Sequence, residues 1–349
     1  MRALTVVPGK ADSLRVCDIP EPEPGPDELL VRALALGVCG TDKEIAAGDY
    51  GDAPPGADRL VLGHESLGRV ERAPAGSEFS SGDLVVGVVR RPDPVPCGAC
   101  AAGEFDMCRN GRYTERGIRR LDGYGSELWT VDSHYAAGVD ARLEPVGMLL
   151  EPTSVVAKAW EQIERIGERA WFRPERVLVT GAGPIGLLAA LLGVQRGLDV
   201  HVLDRVTGGP KPGLVSDLGA TYHTDDAATV AERIQPDVVV EATGVGALVF
   251  DVMRHASACG IVCLTGVSST GRRLSVDAGA VNRELVLENN VVFGSVNANR
   301  RHYRQAAESL TKSDVDWLER LITRRVPADR AADAFTAEED DVKVVVTFD

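Results

Sequence analysis

The stretch Gly181-Ala182-Gly183-Pro184-Ile185-Gly186 limits the fold more than any other part of the chain. It follows the β-branched run 176–180 and opens the apolar stretch 184–196. A strand that ends in Gly-x-Gly-x-x-Gly and turns at once into a helix is the signature of a dinucleotide-binding unit. The first glycine makes the tight turn, the second lets backbone approach a pyrophosphate, and the third lets helix and strand pack closely. The helix N-terminus offers free N–H groups and a positive dipole end to the phosphates. Asp204 closes the next strand, 199–204, at the spacing of an acid that holds a ribose 2′-hydroxyl. A carboxylate there repels a 2′-phosphate and so favours NAD, while Arg205 beside it keeps NADP open. Strands at 237–242, 260–264 and 291–295, with a helix over 246–258, continue the alternation and predict a doubly wound parallel sheet. Ala242-Thr243-Gly244 and Leu264-Thr265-Gly266 end two of these strands, so Thr243, Gly244, Thr265 and Gly266 are expected to border the cofactor.

The first 155 residues have another texture. Short β-like runs at 29–33, 67–71 and 84–89 lie between Pro/Gly-rich turns, the pattern of a compact β-rich domain. Near the C-terminus, 301–311 reads as a helix and 342–348 as a strand that returns to this domain. At 349 residues two cores are expected: a β-rich domain of 1–155 plus 300–349, and a dinucleotide-binding domain of 156–299. The net charge of −14 argues against nucleic-acid and anionic-membrane partners. No run approaches the roughly 20 apolar residues of a bilayer span, and the N-terminus has no signal-peptide pattern, so a cytoplasmic location is expected. An odd set of seven cysteines there reads as metal ligands plus buried thiols.

Three short motifs carry possible ligands. They are Cys39-Gly40-Thr41-Asp42, Gly63-His64-Glu65, and Glu151 within Leu149-Leu150-Glu151-Pro152. A thiolate, an imidazole and a carboxylate are zinc ligand types, and a catalytic zinc takes three protein ligands and keeps one position open. Taken singly, each has a plainer reading: a small buried thiol, a hydrogen-bonded core histidine, a carboxylate favoured at a helix start. A second set is Cys97-x2-Cys100-x7-Cys108.

Taken together, these motifs and the glycine fingerprint resemble the zinc-containing medium-chain dehydrogenase/reductase family over essentially the whole chain. Within it the sequence is most similar to the glucose 1-dehydrogenase branch. Arg90-Arg-Pro92, Tyr113-Thr-Glu-Arg-Gly-Ile118, Asp122-Gly-Tyr124, Leu150-Glu-Pro152 and Gly294-Ser-Val-Asn-Ala-Asn-Arg300 carry that likeness. The resemblance implies an α/β protein, a GroES-like β-rich catalytic domain plus a Rossmann domain. It implies that Cys39 and His64 ligate a catalytic zinc, with Glu65 and Glu151 competing for the third place, and that Asp42 orients His64. Thr41 resembles the hydroxyl that passes a proton outward. Many relatives carry a relay histidine three residues later, where this chain has Glu44.

The cysteine lobe resembles a structural zinc site of four cysteines whose first member falls here at Pro94. Asp93 is then expected as an oxygen ligand beside Cys97, Cys100 and Cys108; a metal-free lobe is the alternative. Glu115, Glu151 and Asn297 resemble hydroxyl-binding positions, and Asn297 is also expected against the cofactor. Val89 and Val155 stand where some glucose enzymes are polar, which leaves room for another sugar. The implied activity is hydride transfer from a sugar hydroxyl, at a glucose-like C1 hemiacetal, to NAD(P). A polyol, cyclitol or modified-sugar dehydrogenase is the first alternative, and a non-catalytic NAD(P)-binding redox sensor the second. Relatives associate, so a homodimer or homotetramer is expected.

Overall fold

The computed structural model describes residues 1–268 and 273–348. The chain divides into two compact units, one of Met1–Ser154 with Asn297–Asp349, the other of Val155–Val296. Among the described residues no helix is long and apolar enough to cross a membrane.

In the first unit the eleven-residue strand Glu28–Val38 is the hub. Leu29, Val31 and Ala33 face the core and Arg32 faces water, the alternation of a half-buried strand. It pairs antiparallel with Glu65–Arg72, Leu128–Asp132 and the last strand, Lys343–Thr347. Lys343–Thr347 in turn runs parallel to Ile322–Pro327. Register places the chemistry. Gly37 lies opposite Glu65, and Val38 opposite Val344. Cys39, the His64-Glu65 pair and Lys343 therefore meet at one end of the sheet, although they are far apart in the chain. Gly37 has to be glycine, since a Cβ there would strike the Glu65 carboxylate and crowd the Lys343 side chain.

In the second unit six parallel strands form one sheet. Their order is Thr221–His223, Asp199–Leu203, Arg176–Thr180, Val238–Glu241, Ile261–Leu264, Val291–Gly294. The chain leaves Arg176–Thr180 in one direction, then returns to its other side at Val238–Glu241, which makes this a topological switch point. Helix Pro184–Gln195 is apolar nearly all round and is buried without a break from Gly186 to Gly193, as a helix with no polar face must be. Thr180 is level with both Leu203 and Glu241, and Glu241 with Leu264. The loops after these four strands therefore leave one edge together. The expected helix over 246–258 is shorter in the structure, Gly246–Arg254. The three-residue edge strand Thr221–His223 has no counterpart in the apolar pattern.

Candidate metal centre and dinucleotide site

Cys39 caps helix Gly40–Ala47 in an extended conformation. Its backbone N–H donates to Asp42 Oδ2 at 2.9 Å, and Asp42 Oδ1 lies 3.3 Å from His64 Nδ1. One buried carboxylate thus ties down both the cysteine and the histidine, and leaves the other ring nitrogen of His64 for a further partner. One ligand atom each from Cys39, His64 and Glu65 lies within 4.8 Å of the others. Zinc bonds of about 2.0–2.3 Å put neighbouring ligands roughly 3.5 Å apart, so the trio is near coordinating geometry. His64, Glu65 and Glu151 are 5%, 2% and 7% exposed.

The electrostatics of the site call for a cation. Burial disfavours a charged His64 ring, but Asp42 and Cys39 outweigh burial and raise its pKa well above the usual value. Burial pushes the Glu151 carboxyl up to about 7; His64 pulls against this and Glu65 adds to it. Lys343, itself buried, pairs with Glu65 and donates to the Val38 carbonyl at 3.0 Å. That ammonium and the His64 ring together face three buried carboxylates, Asp42, Glu65 and Glu151, and the Cys39 thiol. A soft-to-borderline dication held by sulfur, nitrogen and oxygen restores the balance, and zinc fits this donor set. Of the two competing carboxylates, Glu65 joins the cluster with Cys39 and His64, and Glu151 stands outside it while feeling the field of both His64 and Glu65.

In the second unit the glycine turn is stripped of side chains where a ligand must approach. Gly181 adopts φ +95°, a conformation that penalises any other residue. Gly183, the N-cap of helix Pro184–Gln195, has nothing within 4 Å of where a Cβ would point. At Gly186 a Cβ would collide with the Gly181 carbonyl oxygen. The residues present therefore fit a pyrophosphate on the helix N-terminus. Gly186→Ala is expected to lower the melting temperature and weaken NADPH binding tenfold or more in a fluorescence titration, because overpacking of about 1–3 kcal/mol must be relieved by moving the turn.

Asp204 is already well engaged. Its Oδ2 accepts from Ala182 N–H at 2.7 Å and Lys211 Nζ at 3.1 Å, and its Oδ1 accepts from Val206 N–H at 3.0 Å. Burial alone would raise its pKa, but these donors outweigh burial and hold it below the usual carboxylate range. The carboxylate is an ordered acceptor, and its repulsion of a phosphate is blunted by Lys211.

Comparison with known proteins settles the family. Residues 25–141 match the family model for the alcohol dehydrogenase GroES-like domain, and residues 144–348 that for the glucose dehydrogenase C-terminus. The chain belongs to the zinc-containing medium-chain dehydrogenases, in their glucose dehydrogenase branch. This dehydrogenase is 42% identical to glucose 1-dehydrogenase of Methanocella arvoryzae and 40% identical to that of Thermoproteus tenax, with 99% of both chains covered each time. Among solved structures, Haloferax mediterranei glucose dehydrogenase in complex with NADP, Zn and gluconolactone matches it with a TM-score of 0.92 at 34% identity, covering 100% of this chain and 99% of that one.

The dehydrogenase has a second group of candidate metal ligands, this one of three sulfurs. Cys97, Cys100 and Cys108 offer ligand atoms within 4.8 Å of one another, with Cys97 and Cys100 Sγ 3.7 Å apart. The Arg109 N–H donates to Cys97 Sγ at 3.3 Å and, with further donors from Cys100, lowers the thiol to about 6. Ready thiolate formation suits a metal lobe. Asp93, expected as the fourth ligand, is not part of this cluster. Its oxygens accept from Val95 N–H (2.8 Å), Asn110 Nδ2 (2.8 Å) and Arg112 Nε (3.1 Å), so the carboxylate is engaged by hydrogen bonds outside the three-sulfur cluster.

Glu115 and Asn297 are brought together: Asn297 Nδ2 donates to Glu115 Oε1 at 2.6 Å, and Arg90 donates to the same oxygen at 2.9 and 3.1 Å. Asn297 has φ +64°, a strained backbone that fixes where its amide points. Thr41 lies in the first turn of the helix capped by Cys39.

Thr243 and Gly244 are organised by Glu241, a fully buried acid absent from the sequence reading. Its carboxylate accepts from Thr243 N–H at 2.7 Å, the Thr243 hydroxyl, and Gly244 N–H at 3.1 Å. Its carbonyl accepts from the N–H groups of Thr265 and Gly266 at 2.8 and 3.0 Å. Lys343 and Lys211 were also missed. A single basic residue carries no motif, and only strand register or a turn brings either to its partner.

Proposed function

We propose that this dehydrogenase oxidises a sugar hydroxyl, at the C1 hemiacetal of a glucose-like aldose, and transfers the hydride to NAD(P). The observation that carries this reading is the Cys39–His64–Glu65 trio, a half-buried thiol with a buried imidazole and a buried carboxylate, with Glu151 also buried in the same unit, in a chain that also holds an intact dinucleotide turn. The relatives named above are glucose 1-dehydrogenases, and gluconolactone in the Haloferax enzyme has the oxidation level of the product. In the reaction the C1–H bond breaks with both its electrons, which pass to the nicotinamide. The hydroxyl gives up its proton, and a lactone and NAD(P)H result.

Cys39, His64 and Glu65 are assigned to hold zinc, with Glu151 available as an alternative ligand. Zinc bound there supplies a Lewis acid that lowers the pKa of a neighbouring hydroxyl. Asp42 holds His64 in one tautomer. Thr41 is assigned the outward passage of the proton. Glu115, Glu151 and Asn297 are assigned the sugar hydroxyls, each of which demands a hydrogen-bond partner once buried. Gly181, Gly183, Pro184, Ile185 and Gly186 are assigned the pyrophosphate, and Thr243, Gly244, Thr265, Gly266 and Asn297 the rest of the cofactor. Asp204 takes the ribose, with Arg205 and Lys211 at hand for a 2′-phosphate. The lysine weakens the bias to NAD that Asp204 alone would give, so both cofactors are assigned.

The test is a panel of aldoses, alditols and cyclitols with NAD and with NADP, read at 340 nm with the product identified. Turnover of glucose or a close aldose to a lactone supports the reading. Turnover of cyclitols or alditols alone replaces it with a polyol dehydrogenase. Tight NADPH binding with no turnover on any of them points to a redox sensor.

The lobe of Cys97, Cys100 and Cys108 is assigned a second, structural zinc. Elemental analysis is expected to give two zinc atoms per chain, and Cys97→Ser one, with a lower melting temperature. One zinc in the wild type means a metal-free lobe. Self-association as a homodimer or homotetramer is proposed: among the described residues the strand Val291–Gly294 ends its sheet with an unpaired edge, and Val286 and Leu287 nearby in sequence are exposed. Light scattering that gives a monomer mass removes it. A cytoplasmic location is proposed on the free state of all seven cysteines; cell fractionation tests it.

A further inference from the structure

The first unit holds a cavity of about 630 Å³ that shares no residue with the metal trio or the sugar-binding positions. Its volume lies within the roughly 300–1,000 Å³ of small-molecule pockets. Ile19, Leu128 and Trp129 form apolar wall, and Arg15, Arg59 and Arg116 also line it. Among the described residues, none of these three arginines has a carboxylate within ion-pair distance. That is contrary to expectation in a chain with 52 acidic and 38 basic residues. Neighbouring arginines do find acids: Arg90 pairs with Glu115, Arg112 with Asp93, and Arg119 and Arg120 with Asp52.

Two of the cavity arginines, Arg59 and Arg116, are held instead by neutral acceptors. Arg116 donates to the Asp122 carbonyl at 3.1 Å and the Thr130 carbonyl at 2.9 Å. Arg59 donates to the Thr5 hydroxyl at 2.9 Å and to the carbonyls of Thr5 and Ser13 at 3.2 and 2.9 Å. Backbone carbonyls fix the direction of a guanidinium without cancelling its charge. Burial lowers the pKa of Arg116, and the attraction of Tyr124, Glu28 and Asp122, none of them within ion-pair distance, does not offset it. Asp18 and Asp122 also line the cavity, but Asp18 is exposed and Asp122 Oδ1 accepts from Val61 N–H at 2.8 Å.

We propose that this cavity is a binding site for a small organic anion, a phosphate or carboxylate on an apolar body, held by Arg15, Arg59 and Arg116 with its body against Ile19, Leu128 and Trp129. Guanidinium groups recognise these anions by charge-assisted, often bidentate hydrogen bonds. The site is separate from turnover and stands whichever sugar the enzyme oxidises.

Phenyl phosphate is the probe. It is titrated calorimetrically into zinc-loaded enzyme saturated with NADPH, so that the cofactor's phosphate subsites are filled, with benzyl alcohol as the neutral counterpart. The expected result is saturable one-to-one binding of phenyl phosphate and none of benzyl alcohol. Arg15→Ser and Arg116→Met are each expected to weaken binding about tenfold, the worth of one lost hydrogen bond to a charged group. Arg15→Ser changes an exposed side chain, so it reports even if Arg116→Met fails to fold, and its sugar turnover is expected to match the wild type. Failure of phenyl phosphate to saturate, or equal affinity in Arg15→Ser and the wild type, overturns the proposal.

Discussion

Cys39→Ala or His64→Ala is expected to lower kcat/KM by about a thousandfold or more and to remove one zinc atom per chain. The size follows from what the trio does. A Lewis acid beside a reacting hydroxyl is worth several kcal/mol, and each 1.36 kcal/mol is a factor of ten in rate. Cys39 and His64 have no substitutes: each supplies the one sulfur and the one imidazole of the cluster. The carboxylate place is different, because Glu151 lies close enough to be felt electrostatically by the same site. Glu65→Gln is therefore expected to be milder than either replacement. Asp42→Asn keeps the ligands and disturbs their orientation, through the contacts to Cys39 N–H and His64 Nδ1. A loss of about 10- to 100-fold in activity or zinc affinity is expected for it. Zinc content by elemental analysis, measured beside the kinetics, separates a lost metal from a lost fold. Wild-type turnover by a metal-free Cys39→Ala protein would end the zinc reading.

How much of this was open to the sequence depends on how local the information is. The glycine turn, the strand before it and Asp204 lie within thirty residues, and each glycine answers a steric need that the coordinates reproduce at Gly181, Gly183 and Gly186. The long strands of both sheets follow from continuous or alternating apolar runs. Thr221–His223 does not, because three partly exposed residues of mixed polarity carry no period. The partners of the site residues were less visible. Lys343 reaches Glu65 only through the register of Lys343–Thr347 against Glu28–Val38 and of that strand against Glu65–Arg72. Lys211 reaches Asp204 across the turn that follows Leu203. Asp93 is the opposite case. Its nearness in sequence to a missing cysteine made it a ligand on paper, whereas its oxygens are spent on Val95, Asn110 and Arg112.

Lys343→Met is expected to destabilise the metal-free enzyme by about 3–5 kcal/mol, the cost of leaving one partner of a buried ion pair without its counter-charge. The Lys343 and Glu65 side chains are 2% and 3% exposed, so water cannot take the place of the lost ammonium. Burial works against a charged Lys343, yet Glu65 and Cys39 outweigh it and raise its pKa, so the lysine is charged in the folded protein. Methionine fills similar space, which confines the defect to charge and to the lost hydrogen bond to the Val38 carbonyl. The double variant Glu65→Gln/Lys343→Met removes both charges and is expected to recover most of the loss, since a buried pair contributes far less than either ion costs alone. Denaturant unfolding of the wild type, both single variants and the double variant closes the cycle, first with chelator and then with zinc. Zinc is expected to stabilise Lys343→Met more than the wild type, because the unpaired carboxylate then has a cation to face. If the double variant is no more stable than Lys343→Met, the lysine acts by packing and not by charge. If zinc stabilises wild type and variant equally, Glu65 is not a ligand, and Glu151 takes the third place.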